Sequence, residues 1–470
     1  MRYTFVFFIL SLSFFCTNAV ETSVQGTAQS YAGRKLALKI YSDQIIKNER
    51  TLAEALVDAS GNFSLVTDIS HPVQAFIPMG VSNGFIYLEP GKNYTVKLSE
   101  YTEKSLSQKL DPYFSPANYL LEIEGLREGD FNYQMMEFEE AFDYYSMKCL
   151  LNGNRQDSIQ SFISQMQALF TDLDSEYQRR FKEYRYLLLR GFNAQNSPTV
   201  TIPQLNKIGV DTNNPAFWDI FDNLFSDFIR KSGDNREDVT IFRNMVDEGN
   251  AKTLFSLLTD RYGITDVNLK ELTAIKWVAD LINSDLFEYA KVVVLLRNLS
   301  SGIQTEQNRN LLAAVISATT TNTTGAPAAN FIGTDSRGKQ CQLSDYKGQY
   351  VYLNFGNTQI DKTRKDLDVL ARFYENHKNA LIIMNVFLYD TPEQVARIAI
   401  PYKDKMVFLH VDNPDELKKI YSIRNVPSYF LLDREGNFLM TKNAEPSEEV
   451  RVILQHIFQE NKENKENYFK

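Results

Sequence analysis

The chain has 470 residues, of which 43% are apolar and 23% charged, with 25 Tyr, 32 Phe and a formal net charge of -9. That composition excludes a disordered or collagen-like polymer, and the length exceeds what one hydrophobic core usually serves, so two or three domains are expected. An acidic balance offers no clustered cations to displace phosphate counterions, which argues against nucleic acid as a partner.

The chain opens MRYTFVFFILSLSFFCTNAVET: Arg2, an apolar run from Phe5 to Phe15, then the small-residue exit Thr17-Asn18-Ala19. This is the pattern of a secretory signal spanning residues 1–19; the apolar run is shorter than the roughly 20 residues of a membrane-spanning helix. Reading Cys16 as the lipidated first residue of a lipoprotein is the minority alternative, because Phe15 stands where such a signal has a small residue. No later segment is apolar and long enough to span a bilayer. The expected location is therefore the periplasm or another extracytoplasmic compartment of the cell envelope. Two cysteines remain after export, Cys149 and Cys341. They allow at most one intramolecular bridge, and it would join different domains.

Residues 20–110 alternate with period two. In KLALKIY, Leu36, Leu38 and Ile40 form one row and Lys35, Ala37 and Lys39 the other, as on a half-buried strand. The tetrad Asp58-Ala59-Ser60-Gly61 turns the chain into NFSLV, and Glu89-Pro90-Gly91 separates FIYL from YTVKL. Short strands at this spacing predict a small antiparallel β-sandwich. The phrases Asp58-x-x-Gly61-x-Phe63 and Tyr87-Leu88-Glu89-Pro90-Gly91-x-x-Tyr94-x-Val96 resemble the β-rich domain of unknown function that precedes thioredoxin modules in secreted proteins of Bacteroidetes.

Residues 111–316 change to helical spacing. Phe131, Met135, Phe138, Phe142 and Tyr145 make one stripe that Cys149 continues, and such a Cys reads as a small, inert core side chain. Asn214 before Pro215 reads as a helix start, with Phe217, Phe221, Leu224 and Phe228 as its apolar face. Further faces run through Ile241, Met245 and Val246, and through Leu272, Ile275, Ala279 and Ile282. A helical bundle or stacked hairpins would bury them. Glu137, Glu139 and Glu140 read as a solvated helix face. Residues 317–330, SATTTNTTGAPAAN, are small and polar and read as a linker, and 461–470 as a frayed charged tail.

Residues 331–460 run strand, helix, strand, helix, then close with a hairpin. VYLNF is an apolar strand, Asp366 to His377 a helix, ALIIMNVFL a fully buried strand, and MVFLHV a short strand between helices at Pro392–Tyr402 and Pro414–Tyr421. SYFLLD and NFLM pair across Arg434-Glu435-Gly436, and a last helix covers Glu448 to Gln459. The fold class is thus multidomain α+β: an N-terminal antiparallel β-sandwich, a central α-helical region and a C-terminal α/β domain.

Ala326-Pro327, Phe331, Asp335, Gly338, Leu343-Ser344-Asp345, Lys347-Gly348 and Asn354-Phe355, followed by Val426-Pro427, Phe430, Asp433 and Gly436, resemble in order and spacing the TlpA-like and ResA-like secreted thioredoxin family. The resemblance covers about a third of the chain and implies a thioredoxin-like fold for residues 331–460. It departs at the chemistry. Where the family has W-A-x-W-C-x-x-C, this chain has Gly356-Asn357-Thr358-Gln359-Ile360-Asp361-Lys362-Thr363. Ile360 occupies the attacking cysteine's position and Thr363 the resolving one, and neither can supply the thiolate that exchange requires. The proline matching Pro427 is cis in that family and borders the cysteine site. It either preserves the strand start or keeps an edge, with Gln359, Ile360, Thr363 and Val426, for docking an extended peptide by β-augmentation.

No catalytic residue and no cofactor is expected. His71, His377, His410 and His456 lack metal-ligand spacing, and no G-x-S-x-G elbow or phosphate-cradling loop occurs. Cys341, a lone strand cysteine, reads as packing rather than as a nucleophile. The expected function is a redox-inactive envelope protein that binds an unidentified protein or peptide; the alternative is a TlpA-type thiol-disulfide oxidoreductase working through Cys341 or Cys149.

Overall fold

Strand β1 (Val20–Thr27) is followed by β2 (Lys35–Tyr41), β3 (Glu49–Leu56), β4 (Asn62–Ile69), β5 (Val73–Pro78), β6 (Ser82–Leu88) and β7 (Asn93–Lys97), then β8 (Ala117–Leu120) and β9 (Glu122–Ile123). In this computed structural model, residues 19–467 are described except 174, 194–197, 199, 228–235, 283, 285, 378–379, 403–404 and 442–443. Phe228 and the signal segment with Cys16 lie outside the described residues. The strands form a four-stranded sheet, β4-β1-β7-β9, and a five-stranded one, β3-β2-β5-β6-β8. Leu36, Leu38 and Ile40 are buried as their alternation requires, in one core with Val24, Phe63, Leu65 and Val96. The sheets are not wholly antiparallel, which corrects the expected sandwich. β1 pairs parallel with β7, and β6 with β8, because long stretches of chain separate those partners and leave room for a crossover no tight hairpin could make.

Eleven helices are described before the last domain. The first five are α1 (Leu106–Leu110), α2 (Phe131–Leu151), α3 (Gln156–Leu169), α4 (Glu176–Gly191) and α5 (Thr201–Ile208). Then come α6 (Pro215–Phe225), α7 (Arg236–Glu248), α8 (Ala251–Asp260), α9 (Val267–Ile282), α10 (Tyr289–Asn298) and α11 (Glu306–Thr320). Asn214 caps α6 through its side chain, which accepts from Ala216 N–H, with Pro215 in the first turn. Phe131, Met135, Phe138, Phe142 and Cys149 are buried on α2 and share a core with Phe217, Phe221, Leu272 and Ile275. Asn132 joins α2 to the sheet: its amide donates to the Tyr87 carbonyl at 2.8 Å and accepts from Tyr87 N–H at 2.9 Å, standing in for a neighbouring strand. The acidic cluster on α2 is not uniformly solvated, contrary to expectation. Glu137 and Glu140 are exposed, but Glu139 takes both Nε and Nη2 of buried Arg185, at 2.7 and 2.8 Å.

The chain divides into two compact units, residues 1–103 with 116–316, and residues 104–115 with 317–470. In the second unit α1 belongs with the C-terminal elements, and the Lys418 ammonium donates to the Lys109 carbonyl at 2.7 Å. Its remaining elements are β10 (Ile332–Asp335), β11 (Gln340–Gln342), β12 (Tyr350–Gly356), α12 (Asp361–His377), β13 (Leu381–Phe387), α13 (Pro392–Ala399), β14 (Val407–His410), α14 (Pro414–Ile420), β15 (Ser428–Leu432), β16 (Phe438–Met440) and α15 (Glu448–Asn467). One seven-stranded sheet runs β11-β10-β14-β13-β12-β15-β16, with β12 and β13 parallel at its centre and buried throughout.

Three boundaries differ from the sequence expectation. Helix α12 starts at Asp361 rather than Asp366, and the backbone of α15 stays helical to Asn467 rather than fraying after Gln459. The segment read as a linker is helical to Thr320 and then runs along β16: Gly325 N–H donates to Phe438 O at 2.7 Å, Phe438 N–H to Ala326 O at 2.9 Å and Ala328 N–H to Gly436 O at 2.9 Å.

Candidate functional site

The loop between β12 and α12 ends in Ile360, Thr363 follows in the first turn of α12, and the polar groups of the loop are bonded internally. Buried Asn357 donates its amide to the Leu388 carbonyl at 2.7 Å and accepts from Gln359 N–H at 2.9 Å. Thr358 donates its N–H to the Asp390 carboxylate at 2.9 Å, and its hydroxyl donates to the same group. The Arg364 guanidinium closes the loop by donating to Thr358 O at 2.6 Å. Burial pushes the Asp390 carboxyl up, against the two Thr358 bonds and the His410 charge, which hold it down.

Ile360 is half-buried just ahead of α12, Gln359 is exposed, and Thr363 is fully buried. The Thr363 methyl fills the space that a side chain at Gly356 would need; a Cβ there would lie 2.5 Å from Thr363 Cγ2. The Thr363 hydroxyl faces inward, 3.4 Å from Asn357 N–H. At this pair of positions the structure therefore presents a hydrocarbon and an occupied hydroxyl.

Across the sheet edge the Val426–Pro427 peptide is cis. An open cleft of about 400 Å³ lies beside it, lined by Lys362, Asn425, Val426, Tyr429, Thr441 and Glu445, among others. The structure brings Val426 and Pro427 into this cleft, whereas Gln359, Ile360 and Thr363 are not among its lining residues. Among the described residues, the main-chain N–H and C=O of Val426 have no hydrogen-bond partner. Lys362, one turn into α12, places its ammonium 3.1 Å from Asp366 and 2.5 Å from Glu445. The Tyr429 hydroxyl donates to Asp366, and the Tyr352 hydroxyl to the Ala444 carbonyl. Burial pulls the Lys362 ammonium down, but Glu445 and Asp366 outweigh it and hold the group above its ordinary value. Burial, reinforced by Asp366, raises the Tyr429 hydroxyl, so it stays protonated as a donor. Sequence reading missed Lys362, Asp366, Tyr429 and Glu445, and no motif spacing marks them.

Cys149 and Cys341 are unpaired. Cys341 sits on β11 opposite Gly333, at the far edge of the sheet. Four strand spacings separate β11 from β12, or roughly 19 Å at about 4.8 Å each. Cys149 is fully buried on α2, and burial pushes its thiol up. Among the described residues, no group of three or more His, Cys, Asp or Glu side chains could hold a metal ion. No described helix is long and apolar enough to cross a membrane.

The AhpC/TSA family profile matches residues 324–439. The thiol-disulfide oxidoreductase ResA of Bacillus thuringiensis subsp. konkukian is 26% identical over 134 residues, which cover 28% of this chain and 78% of that protein. ResA of Bacillus subtilis is 28% identical over 113 residues, 24% of this chain and 63% of that one. Among solved structures, the thioredoxin domain of a Bacteroides vulgatus thiol-disulfide oxidoreductase is similar at 24% identity and TM-score 0.25, covering 26% of this chain and 88% of that domain. A thioredoxin-like protein of Bacteroides caccae is 15% identical with TM-score 0.35, covering 50% of this chain and 92% of its own.

Proposed function

We propose, from the premise that residues 324–439 form a thioredoxin-like domain of the AhpC/TSA type with ResA-like thiol-disulfide oxidoreductases as homologues, that this protein is a redox-inactive envelope module. It docks an extended protein or peptide segment beside Val426 and Pro427. The observation that carries the reading is the pair Ile360, at the end of a loop whose polar groups are already bonded, and Thr363, buried in the first turn of α12. Thiol-disulfide exchange needs a thiolate to attack and a second sulfur to resolve the mixed disulfide. Neither position has sulfur.

Docking is supported by the open cleft and by the unpartnered main chain of Val426 on its wall. A strand-like guest can take such groups as a β-ladder does. Export through residues 1–19 would place the module outside the cytoplasm. A redox role through Cys341 is weighed down by its place at the opposite sheet edge, and one through Cys149 by a buried thiol whose ionisation burial opposes.

Insulin turbidity in the presence of dithiothreitol is the direct test. The full-length exported chain should reduce insulin no faster than dithiothreitol alone; a rate above that background, lost on alkylation of Cys341, would establish the oxidoreductase reading instead.

A further inference from the structure

Helix α2 carries two apolar stripes, and the first unit buries only one of them. Phe131, Met135, Phe138, Phe142 and Cys149 lie in its core. Tyr144, Met147 and Leu151 repeat at steps of three and four on another face of the same helix, and with Leu150 they are between 55% and 77% exposed. A surface helix ordinarily turns charged and polar residues to water, so the end of α2 shows solvent the face of a buried helix. Charge is placed on either side of this stripe. At 3.6 residues per turn, Asp143 falls on one flank of Tyr144, Met147 and Leu151 and Lys148 on the other. Both are exposed, and among the described residues neither is in an ion pair. The Lys148 ammonium lies 5.0 Å from the Tyr144 ring centre, which keeps its charge beside the stripe.

We propose that this face docks a second copy of the chain, in a two-fold dimer whose α2 helices run parallel over their last two turns. That pairing sets Tyr144, Met147 and Leu151 against their own copies, as the central seam of a short coiled coil. It also brings Asp143 of each copy to the side on which the other carries Lys148, so two equivalent ion pairs bracket the seam. The antiparallel arrangement centred on Met147 lacks this match, because it places Lys148 beside its own copy. Glu137 and Glu140 continue the stripe towards the helix start and would also meet their own copies, which confines the contact to the end of α2. The same carboxylates oppose an anionic lipid surface as the occupant. A seam this short is smaller than a standard interface, so the dissociation constant should fall at roughly 10–100 µM. Docking at Val426 and Pro427 plays no part in this contact.

Sedimentation velocity of the full-length protein, from about 1 to about 300 µM, should show the mass rising from monomer towards dimer. Met147→Asp, at an exposed position, should weaken association about tenfold or more. Lys148→Glu should weaken it about tenfold, because like charges then meet on both flanks. Adding Asp143→Lys to Lys148→Glu restores opposite charges in the parallel pairing and should bring association back to within about threefold of the unaltered protein. Glu140→Leu extends the seam by one position and should tighten the dimer about tenfold. Circular dichroism of each variant checks that the helices remain folded. A protein that stays monomeric up to about 300 µM overturns the proposal. So does association that Met147→Asp leaves unchanged, or a charge exchange that restores nothing.

Discussion

Thr363 and Gly356 share one space, since the Thr363 methyl fills what a side chain at 356 would need. A methyl added at Gly356 would come within 2.5 Å of Thr363 Cγ2, a contact with no flexible side-chain tip to yield. Gly356→Ala should therefore destabilise the full-length protein by about 1–3 kcal/mol, the cost of overpacking a filled core. Combining it with Thr363→Ser, which removes the offending methyl and keeps the hydroxyl, should recover most of the loss. A double-mutant cycle by urea denaturation measures the coupling; additive effects would show that the two side chains do not compete. Asp390 allows a second prediction. Its carboxyl is raised in the fold by burial, so ionisation costs the native state, and its contribution is fully present below about pH 4 and lost as pH rises through the folded value. The stability of the native chain relative to Asp390→Asn should fall as pH is raised from about 3 to about 6. A flat difference would mean that the Thr358 bonds compensate burial completely.

Periodicity in the sequence exposed the elements, and composition misled where main chain mattered. Leu36, Leu38 and Ile40, or Phe131, Met135 and Phe138, advertise strand and helix because a buried face must repeat with the element's own period. Small residues from Thr321 to Asn330 say only that no side chain there builds a core. They say nothing of amide and carbonyl groups, which here complete the edge of β16. Ala328→Pro deletes the N–H that Gly436 O accepts at 2.9 Å and should cost about 1 kcal/mol or more, seen as a lower urea midpoint; no change would return this stretch to linker status. The candidate site was legible only in its frame. Ile360, Thr363 and Pro427 could be placed by the phrases around them, but Glu445 meets Lys362 through folding alone, 83 residues along the chain. Arg185 and Glu139, 46 residues apart, were hidden for the same reason. Arg185 touches Glu139 and Asp219 and lies over the rings of Phe142 and Phe181. Arg185→Ala should destabilise by about 3 kcal/mol, at the low end for breaking a buried pair because the carboxylates are partly exposed. A loss below about 1 kcal/mol would class the pair with surface bridges.

At the scale of the whole molecule, positions 360 and 363, which hold no sulfur, stand within an otherwise regular thioredoxin-like frame. The parallel pair β12–β13, the antiparallel β12–β15 pairing and the start of α12 just after Ile360 are all in place. A cysteine at 360 would sit at the N-terminal end of a 17-residue helix, where unpaired N–H groups and the helix dipole favour a thiolate. Position 363 lies one turn on, within the Cα separation that a disulfide spans. Its environment is fully buried. Ile360→Cys with Thr363→Cys should therefore give the full-length protein insulin-reducing activity that neither single variant has, together with a disulfide detectable by mass spectrometry after oxidation. Thr363→Cys gives up the hydroxyl that Asn357 N–H approaches at 3.4 Å, but the Asn357 amide and the Thr358 N–H are held by Leu388 O and Asp390, so the exchange leaves the main ties of the loop in place. If the double variant folds and oxidises yet stays at background, the missing sulfur is not the sole block, and the loop has been rebuilt around some other use of this edge of the sheet.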